Sequence, residues 1–354
     1  MSLRGKLSRP NDRYSFTRGT TGDHRSGWPD SVPTGVVTNA LGSARLALVR
    51  CRVEWTTIRA LSGAQLDELD AMARRAAVID GVPPKVYWPL ISRSDPGVLH
   101  LLGHEDGALV AAASSFCFQQ DELEFTCVVD PDRREQGRGV EALSRLVAVR
   151  VQRAPGVTAR LRVPTPLARA SARVRQADAT PVEAEHTMVA HARSVFALDV
   201  PNRQLTLQDA TADDAGLLAV LDAASFQTEP ADTRPRFQAH LADENRRVWI
   251  AKRDGIPVGK LHARRDPDGV WIHDLCTDPD VRGLGLGREM VLRCARRILD
   301  GELGRAETSI WLEVQTNNAA AIATYTRCAF ETVRTDTMLE LPLRAFMSAL
   351  ASTP

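Results

Sequence analysis

Val270-Trp271-Ile272-His273-Asp274-Leu275-Cys276-Thr277 runs directly into Asp278-Pro279-Asp280-Val281-Arg282-Gly283-Leu284-Gly285-Leu286-Gly287, and the reading of the chain turns on this stretch. Residues 270–277 have the make-up of a strand, and a helix is expected from about 288 to 299, so the glycines stand between strand and helix. Glycine lets the backbone bend freely and lets an anion approach with no Cβ in the way. The bare N–H groups at the helix start, aided by the helix dipole, then form a site for phosphate oxygens.

The same punctuation occurs a second time. Arg134-Glu135-Gln136-Gly137-Arg138-Gly139 repeats the Arg-x-x-Gly-x-Gly spacing after a strand at 122–129 and Asp130-Pro131-Asp132, and a helix is expected from about 140 to 153. Gly137 and Gly285 lie 148 positions apart, a whole-domain period. The elements upstream match in order. In the first copy a strand at 53–58 precedes a helix from about 63 to 78 capped by Ser62, and strands at 98–103 and 109–117 flank the Asp106-Gly107 turn. In the second, a strand at 204–208 and a helix at 213–225 precede strands at 248–252 and 258–263 around Asp254-Gly255. The organisation read from this is a flexible extension over 1–52, a first domain over 53–195, a linker near 194–202 and a second domain over 203–343. The extension is rich in Arg, Gly, Ser, Thr, Pro and Asp and too poor in apolar residues to bury a core.

Two other anion-binding motifs fit poorly. Gly137-x-Gly139-x-x-Ala142 suggests a dinucleotide fingerprint, but no acidic residue follows about 20 positions on to hold a ribose. The Gly-Lys-Ser/Thr of a nucleoside-triphosphate loop is absent.

Composition narrows the class. Apolar residues make up 44% and charged residues 25%, as in a soluble globular protein. The formal net charge of +1 offers no global field for nucleic acid or an anionic membrane, so anion binding must be local. The six cysteines show no CxxC pairing and no metal-ligand spacing with histidine, which speaks for a reducing compartment. No stretch approaches the roughly 20 apolar residues of a membrane span. The expectations are a cytoplasmic protein, no metal, no nucleic-acid or membrane partner, and a monomer or homodimer.

Strand, Asp-Pro-Asp, Arg-x-x-Gly-x-Gly and helix resemble the acyl-CoA diphosphate loop of the GNAT superfamily of N-acetyltransferases. The downstream run Leu312-Glu313-Val314-Gln315-Thr316-Asn317-Asn318-Ala319-Ala320-Ala321-Ile322-Ala323-Thr324-Tyr325, with Phe330 beyond, is similar to that family's Val-x-x-x-Asn-x-x-Ala-x-x-x-Tyr. One departure is Ala329, where the family usually has glycine. The tandem plan resembles the mycothiol synthases, and 312–325 equally resembles ribosomal-protein N-terminal acetyltransferases.

The resemblance implies an α/β (α+β) fold of two tandem GNAT-like domains, each a mixed, mostly antiparallel sheet flanked by helices. It implies acetyl-CoA as co-substrate and a small-molecule amine or a peptide N-terminus as acceptor, with direct transfer and no covalent enzyme intermediate. Amides near Cys276 and Thr277 would meet the pantetheine arm and acyl oxygen. Arg282, Gly283, Gly285, Leu286, Gly287 and Arg288 would hold the diphosphate, Asn318 would contact the cofactor, and Tyr325 would be the general acid. His273 is the candidate base, with Asp274, Glu313 or a water chain as alternatives. Both Tyr325 and His273 could also be packed structural residues.

The first copy keeps the loop glycines but lacks the chemistry. By sequence offset, Phe125 and Thr126 stand where His273 and Asp274 do, Pro164-Thr165-Pro166 replaces the asparagine loop, and no tyrosine follows on the helix expected from about Leu167. It reads as a degenerate copy, with activity in the second. The other class of reading is a non-catalytic acyl-CoA sensor or interaction module.

Overall fold

A computed structural model describes residues 52–92, 97–119, 122–153, 158–165, 179–226 and 228–351. The expected extension (but for Arg52), Cys51, Pro166 and the helix expected from Leu167 lie outside these.

Strand β1 (Glu54–Ile58) precedes helix α1 (Gly63–Asp80). Ser62 caps this helix through a capping box with Gln65, and Gly81, at φ +69°, ends it in the left-handed region. A single-turn helix α2 (Trp88–Ile91) follows, then β2 (Leu99–Glu105), β3 (Ala108–Gln119), β4 (Glu122–Val129), α3 (Arg138–Arg153), β5 (Thr158–Thr165), β6 (Thr180–His191) and α4 (Ala192–Phe196). The second copy runs β7 (Leu205–Asp209), α5 (Ala215–Phe226), α6 (Pro230–Leu241), β8 (Arg246–Arg253), β9 (Ile256–Asp266), β10 (Gly269–Thr277), α7 (Leu286–Leu299), β11 (Ser309–Gln315), α8 (Ala319–Thr326), β12 (Glu331–Pro342) and α9 (Leu343–Ala351). The hairpin turns repeat as well: Asp106 and Gly107 sit at φ +51° and +79°, and Asp254 and Gly255 at +51° and +80°. A tight hairpin requires left-handed backbone at both positions.

The twelve strands among the described residues form one sheet, in the order β1-β2-β3-β4-β5-β12-β6-β11-β10-β9-β8-β7. Only β4–β5 and β10–β11 pair in parallel; the rest is antiparallel. The order is palindromic about the β12–β6 seam, and the strands nearest that seam are exchanged. β12, the last strand of the second copy, lies against β5 from Thr335↔Thr165 to Pro342↔Thr158. β6, the last strand of the first copy, lies against β11 from Ser309↔His191 to Gln315↔Glu185. Helix α9 follows β12 across, and its Leu343, Phe346 and Leu350 complete the core of the first half with Leu146, Val147 and Phe125. The Phe125 and Phe346 rings meet edge-on at 5.5 Å. Each half is therefore finished by a piece of the other.

One face of the second half packs on α7, whose Leu286, Met290, Val291, Cys294, Ala295 and Ile298 are buried against Leu261, Ile272, Leu312 and Val314. The other face carries α5 and α6, where Leu218, Ala219 and Phe237 pack on Val248 and Ile250. The corresponding face of the first half is mainly apolar, with buried His100 bonded to Ser114 and Glu124 accepting from Tyr87. There Leu69, Met72, Ala73 and Ala76 of α1, with Tyr87 and Trp88, cover Leu102, Ala112, Phe116 and Val128.

Candidate active site

The site is built where β10 and β11 part. Their ladder holds only at Trp271↔Trp311 and Ile272↔Leu312. Just beyond, β10 is bulged against β9: Cys276 faces Lys260 and His273 faces His262, so Asp274 and Leu275 together stand opposite Leu261. Asp274 takes the extra turn at φ +47°. A bulge of this kind takes backbone groups out of the ladder and re-aims the side chains beside it. The edge of β10 at Cys276 and Thr277 consequently opens into the gap, where the acyl group was expected.

In the first half β3 and β4 pair without a break from Ala111↔Val129 to Cys117↔Leu123, and β4–β5 pairing extends over four positions, Glu122↔Thr158 to Phe125↔Leu161. The register also corrects the sequence match. Thr126 faces Ser114 as His273 faces His262, so Thr126 and not Phe125 is the counterpart of His273. The inserted bulge residue had shifted the offset by one.

On the α7 side of the gap lies the glycine loop. Gly283 and Gly285 sit at φ +79° and +76°, and Gly285 is the N-cap of α7. Among the described residues, no backbone carbonyl accepts from the amides of Gly283, Leu284, Gly285, Leu286, Gly287 or Arg288. Arg282 is exposed, and its side chain donates from Nε to the Thr277 carbonyl at 3.4 Å. Arg288 is half-buried with an unpartnered Nε. Arg203, missed in the sequence, lies over the loop: a Cβ on Gly285 would meet its Nε at 3.1 Å. Its backbone N–H is fixed by Glu289 at 2.9 Å.

The loop of the first half has the same backbone but is closed by its own carboxylates. Arg134 repeats the Nε bond, to the Val129 carbonyl at 3.4 Å, yet its outer nitrogens grip Asp80 at 2.6 and 2.9 Å. Glu105 takes Arg133 at 2.6 Å and Arg138 at 3.0 Å. Glu135 occupies the position of Gly283 at φ +63°, an unfavourable conformation for a residue with a Cβ.

Tyr325, on α8, is buried in the second-half core, 6.0 Å ring to ring from Phe330. Burial pushes its hydroxyl well above the usual tyrosine range, and Cys328, Asp274 and Cys276 add to this, so it stays protonated. Asn318 is exposed and caps α8, its Oδ1 accepting from the Ala321 amide at 3.1 Å. Ala329 adopts φ +66° while the Phe330 amide bonds back to the Tyr325 carbonyl at 3.0 Å, a helix end at which glycine is unstrained. Cys276 is buried with its thiol 3.6 Å from the Leu221 carbonyl, and the Thr277 carbonyl accepts from Ser225 at 3.2 Å.

The opposite side of the gap is polar, and most of it was not foreseen. Lys260, His262 and Arg264 of β9 point to this face with His273. Asp222 of α5 pairs with Lys260 at 2.9 Å and with Arg236 of α6 at 2.7 Å, and accepts from Thr228 at 3.1 Å. The Lys260 ammonium also donates to the Asp274 carbonyl at 3.2 Å, clamping the bulge. Burial alone would lower Lys260, but Cys276, Asp274 and Asp222 outweigh it and hold it above its ordinary value. Burial would likewise raise Asp274, but Lys260, Arg236, His240 and His273 bring it down to about 2. Burial, helped by Arg246, takes His273 down to about 3, so it is a neutral imidazole.

The rings of His273, His262 and His240 form a column, 5.3 Å and then 4.9 Å between centroids. His240, His262 and Asp274 bring ligand-type atoms within 4.8 Å of one another. The set suits a metal ion badly, because Arg246 already engages His262 Nε2 and Lys260 stands beside Asp274. One side chain on this face comes from the first half. Lys85, between α1 and α2, ion-pairs with Glu313, the first residue of β11 past the last rung shared with β10. The alternation Lys260-x-His262-x-Arg264 was a readable signal of a polar sheet face. Nothing local in sequence announces Lys85.

Residues 216–330 match the sequence model of the Acetyltransferase (GNAT) family. The chain is 28% identical over 312 residues to a mycothiol acetyltransferase of Nocardia farcinica, spanning 80% of this chain and 96% of that protein. It is also 29% identical over 133 residues to the N-alpha-acetyltransferase RimI of Mycobacterium tuberculosis, spanning 36% of this chain and 80% of that one. In fold it is similar to a tandem GNAT protein from the clavulanic acid biosynthesis pathway, with TM-score 0.63 at 14% identity, covering 82% of this chain and 99% of the other.

Proposed function

We propose that this chain, an N-acetyltransferase of the GNAT superfamily, transfers acetyl from acetyl-CoA to the amine of a small acceptor, using the second half alone. The observation that carries this reading is a coincidence in space. Where β10 parts from β11 it is also bulged against β9, unlike β4 at the equivalent place, and beside it lies the glycine loop whose arginine, Arg282, has no carboxylate partner among the described residues.

CoA enters on the α7–α8 side. The amides of Gly283 to Arg288 and the guanidinium of Arg282 take its diphosphate, and Asn318 flanks the arm. The acyl carbonyl lies against the open edge at Cys276 and Thr277, whose amides hold the oxyanion as it develops. The acceptor approaches from the polar face. Its ammonium loses a proton to His273, whose imidazole is neutral and so able to accept one. Nitrogen bonds to the acetyl carbon and sheds its second proton to solvent, the C–S bond breaks, and the thiolate takes a proton from Tyr325, which solvent restores. The first half binds no CoA, since its loop arginines are spent on Asp80 and Glu105. Mycothiol-related amines, suggested by the relatives that span most of the chain, are the first acceptors to assay, and peptide N-termini the second.

Calorimetry with acetyl-CoA should give one site per chain, and thiol release should rise with a productive amine. Absence of binding overturns the reading. Binding without release from any amine leaves the non-catalytic sensor instead.

A further inference from the structure

We infer that Lys85 is itself an acceptor, so that the second half acetylates an amine the first half places in its site. This rests on the acetyl-transfer reading above. The Nζ of Lys85 is held by Glu313 at the mouth of the β10–β11 gap, on the face of His273. Both side chains are largely shielded, 17% and 10% exposed. The segment carrying Lys85 is fixed from both sides: the Pro83 carbonyl accepts from Arg334 of β12 at 2.6 Å, and Nζ stands 5.4 Å from the Tyr87 ring centre. An amine on that face, beside a carboxylate and a neutral imidazole, stands where an acceptor must.

The choice of residue points the same way. Of the 45 basic side chains only four are lysines: Lys6, Lys85, Lys252 and Lys260. Arginine would pair with Glu313 at least as well, through two parallel hydrogen bonds, but a guanidinium is never deprotonated and cannot be acylated here. Lys260 is a nearby amine too, but it is 1% exposed and bound to Asp222 and to the Asp274 carbonyl.

The step balances with groups present. One proton of the Lys85 ammonium passes to the Glu313 carboxylate and on to solvent. The free amine attacks the acetyl carbon and the N–C bond forms. As the C–S bond breaks, the nitrogen sheds its second proton to His273 and the CoA thiolate gains one from Tyr325. The products are Nε-acetyl-Lys85 and CoA.

The full chain is incubated with acetyl-CoA alone, and its peptides are mapped by mass spectrometry over time. The expected result is one acetyl group at Lys85, appearing at a rate independent of protein concentration and well ahead of Lys252. Glu313→Gln should slow the labelling at least tenfold, and Lys85→Arg should abolish it. Lys85 remaining unlabelled while calorimetry shows acetyl-CoA bound overturns the inference and leaves the transferase reading standing. Equal labelling of Lys252 overturns it as well, by showing solution chemistry rather than a site.

Discussion

The two halves share a backbone plan and differ in what covers one sheet face. Ala112, Ser114 and Phe116 of β3 sit where Lys260, His262 and Arg264 sit in β9, each pair 148 residues apart. In the first half α1 covers that face with apolar side chains and the polar groups left on it pair among themselves, His100 with Ser114 and Glu124 with Tyr87; in the second it is a buried polar array around Asp222 and Asp274. The glycine loops show the same divergence, one closed on its own carboxylates and one left with unspent donors. Function thus resides in what is left unpaired. A packed face stabilises and does nothing else, whereas desolvated polar groups cost stability and supply chemistry.

The most severe way to break the comparison is to ask whether the halves exist separately. Removing residues 331–351 deletes β12 and α9, and neither half should then fold; circular dichroism should show no cooperative melt. Two independent transitions would mean the exchanged strands are dispensable.

Acid should separate the halves next. His273 has its pKa lowered to about 3 and His100 of the first half to about 4. The unfolded chain takes up those protons near pH 6.5 and the folded chain does not. Stability is therefore complete above pH 6.5 and falls as pH drops towards those values, by on the order of 3 kcal/mol for one such group at pH 4. In His273→Gln, that one group's share of the loss should disappear from a urea titration run between pH 4 and 7, while the share of His240 and His262, also held well below their ordinary value by burial, stays.

Tyr325→Phe should lower kcat about a hundredfold with little change in acetyl-CoA affinity. Steady-state rates beside calorimetry check both terms, and an unchanged kcat removes Tyr325 from the mechanism. Gly285→Ala and Gly137→Ala strain equivalent backbone, at φ +76° and +81°. Only the first should weaken acetyl-CoA, by about tenfold, the worth of one charge-assisted hydrogen bond. Equal weakening would mean that the first loop also binds CoA. The smallest effect is at Ala329, where φ is +66°. Ala329→Gly should add about 1 kcal/mol to stability in denaturant melts and leave turnover unaltered.

Much of this organisation was legible because it is local. The capped start at Ser62, the Asp-Gly hairpins and the glycine loops are each decided by a few neighbouring residues. Helix α6, with Pro235 within it and a weakly amphipathic pattern, escaped notice, and with it Arg236 and His240. The bulge at Asp274 escaped too, because it is set by which strand lies alongside, and it displaced the match between the halves by one residue. The exchange of β6 and β12 was invisible for a stronger reason. Either strand alternates in the same way whichever partner it joins, so periodicity carries no information about the address.

The exchange also has a consequence for synthesis. The slot between β5 and β6 is filled by a strand some 170 residues later, Thr335 against Thr165. A ribosome delivers these in order, so the earlier half waits, its edge unzipped, until β12 has been made. Assembly governed by such distant pairing is slow, and a nascent chain in that interval needs shelter from its neighbours. A stop anywhere before β12 and α9 yields no half-working product, which makes their synthesis a condition of activity.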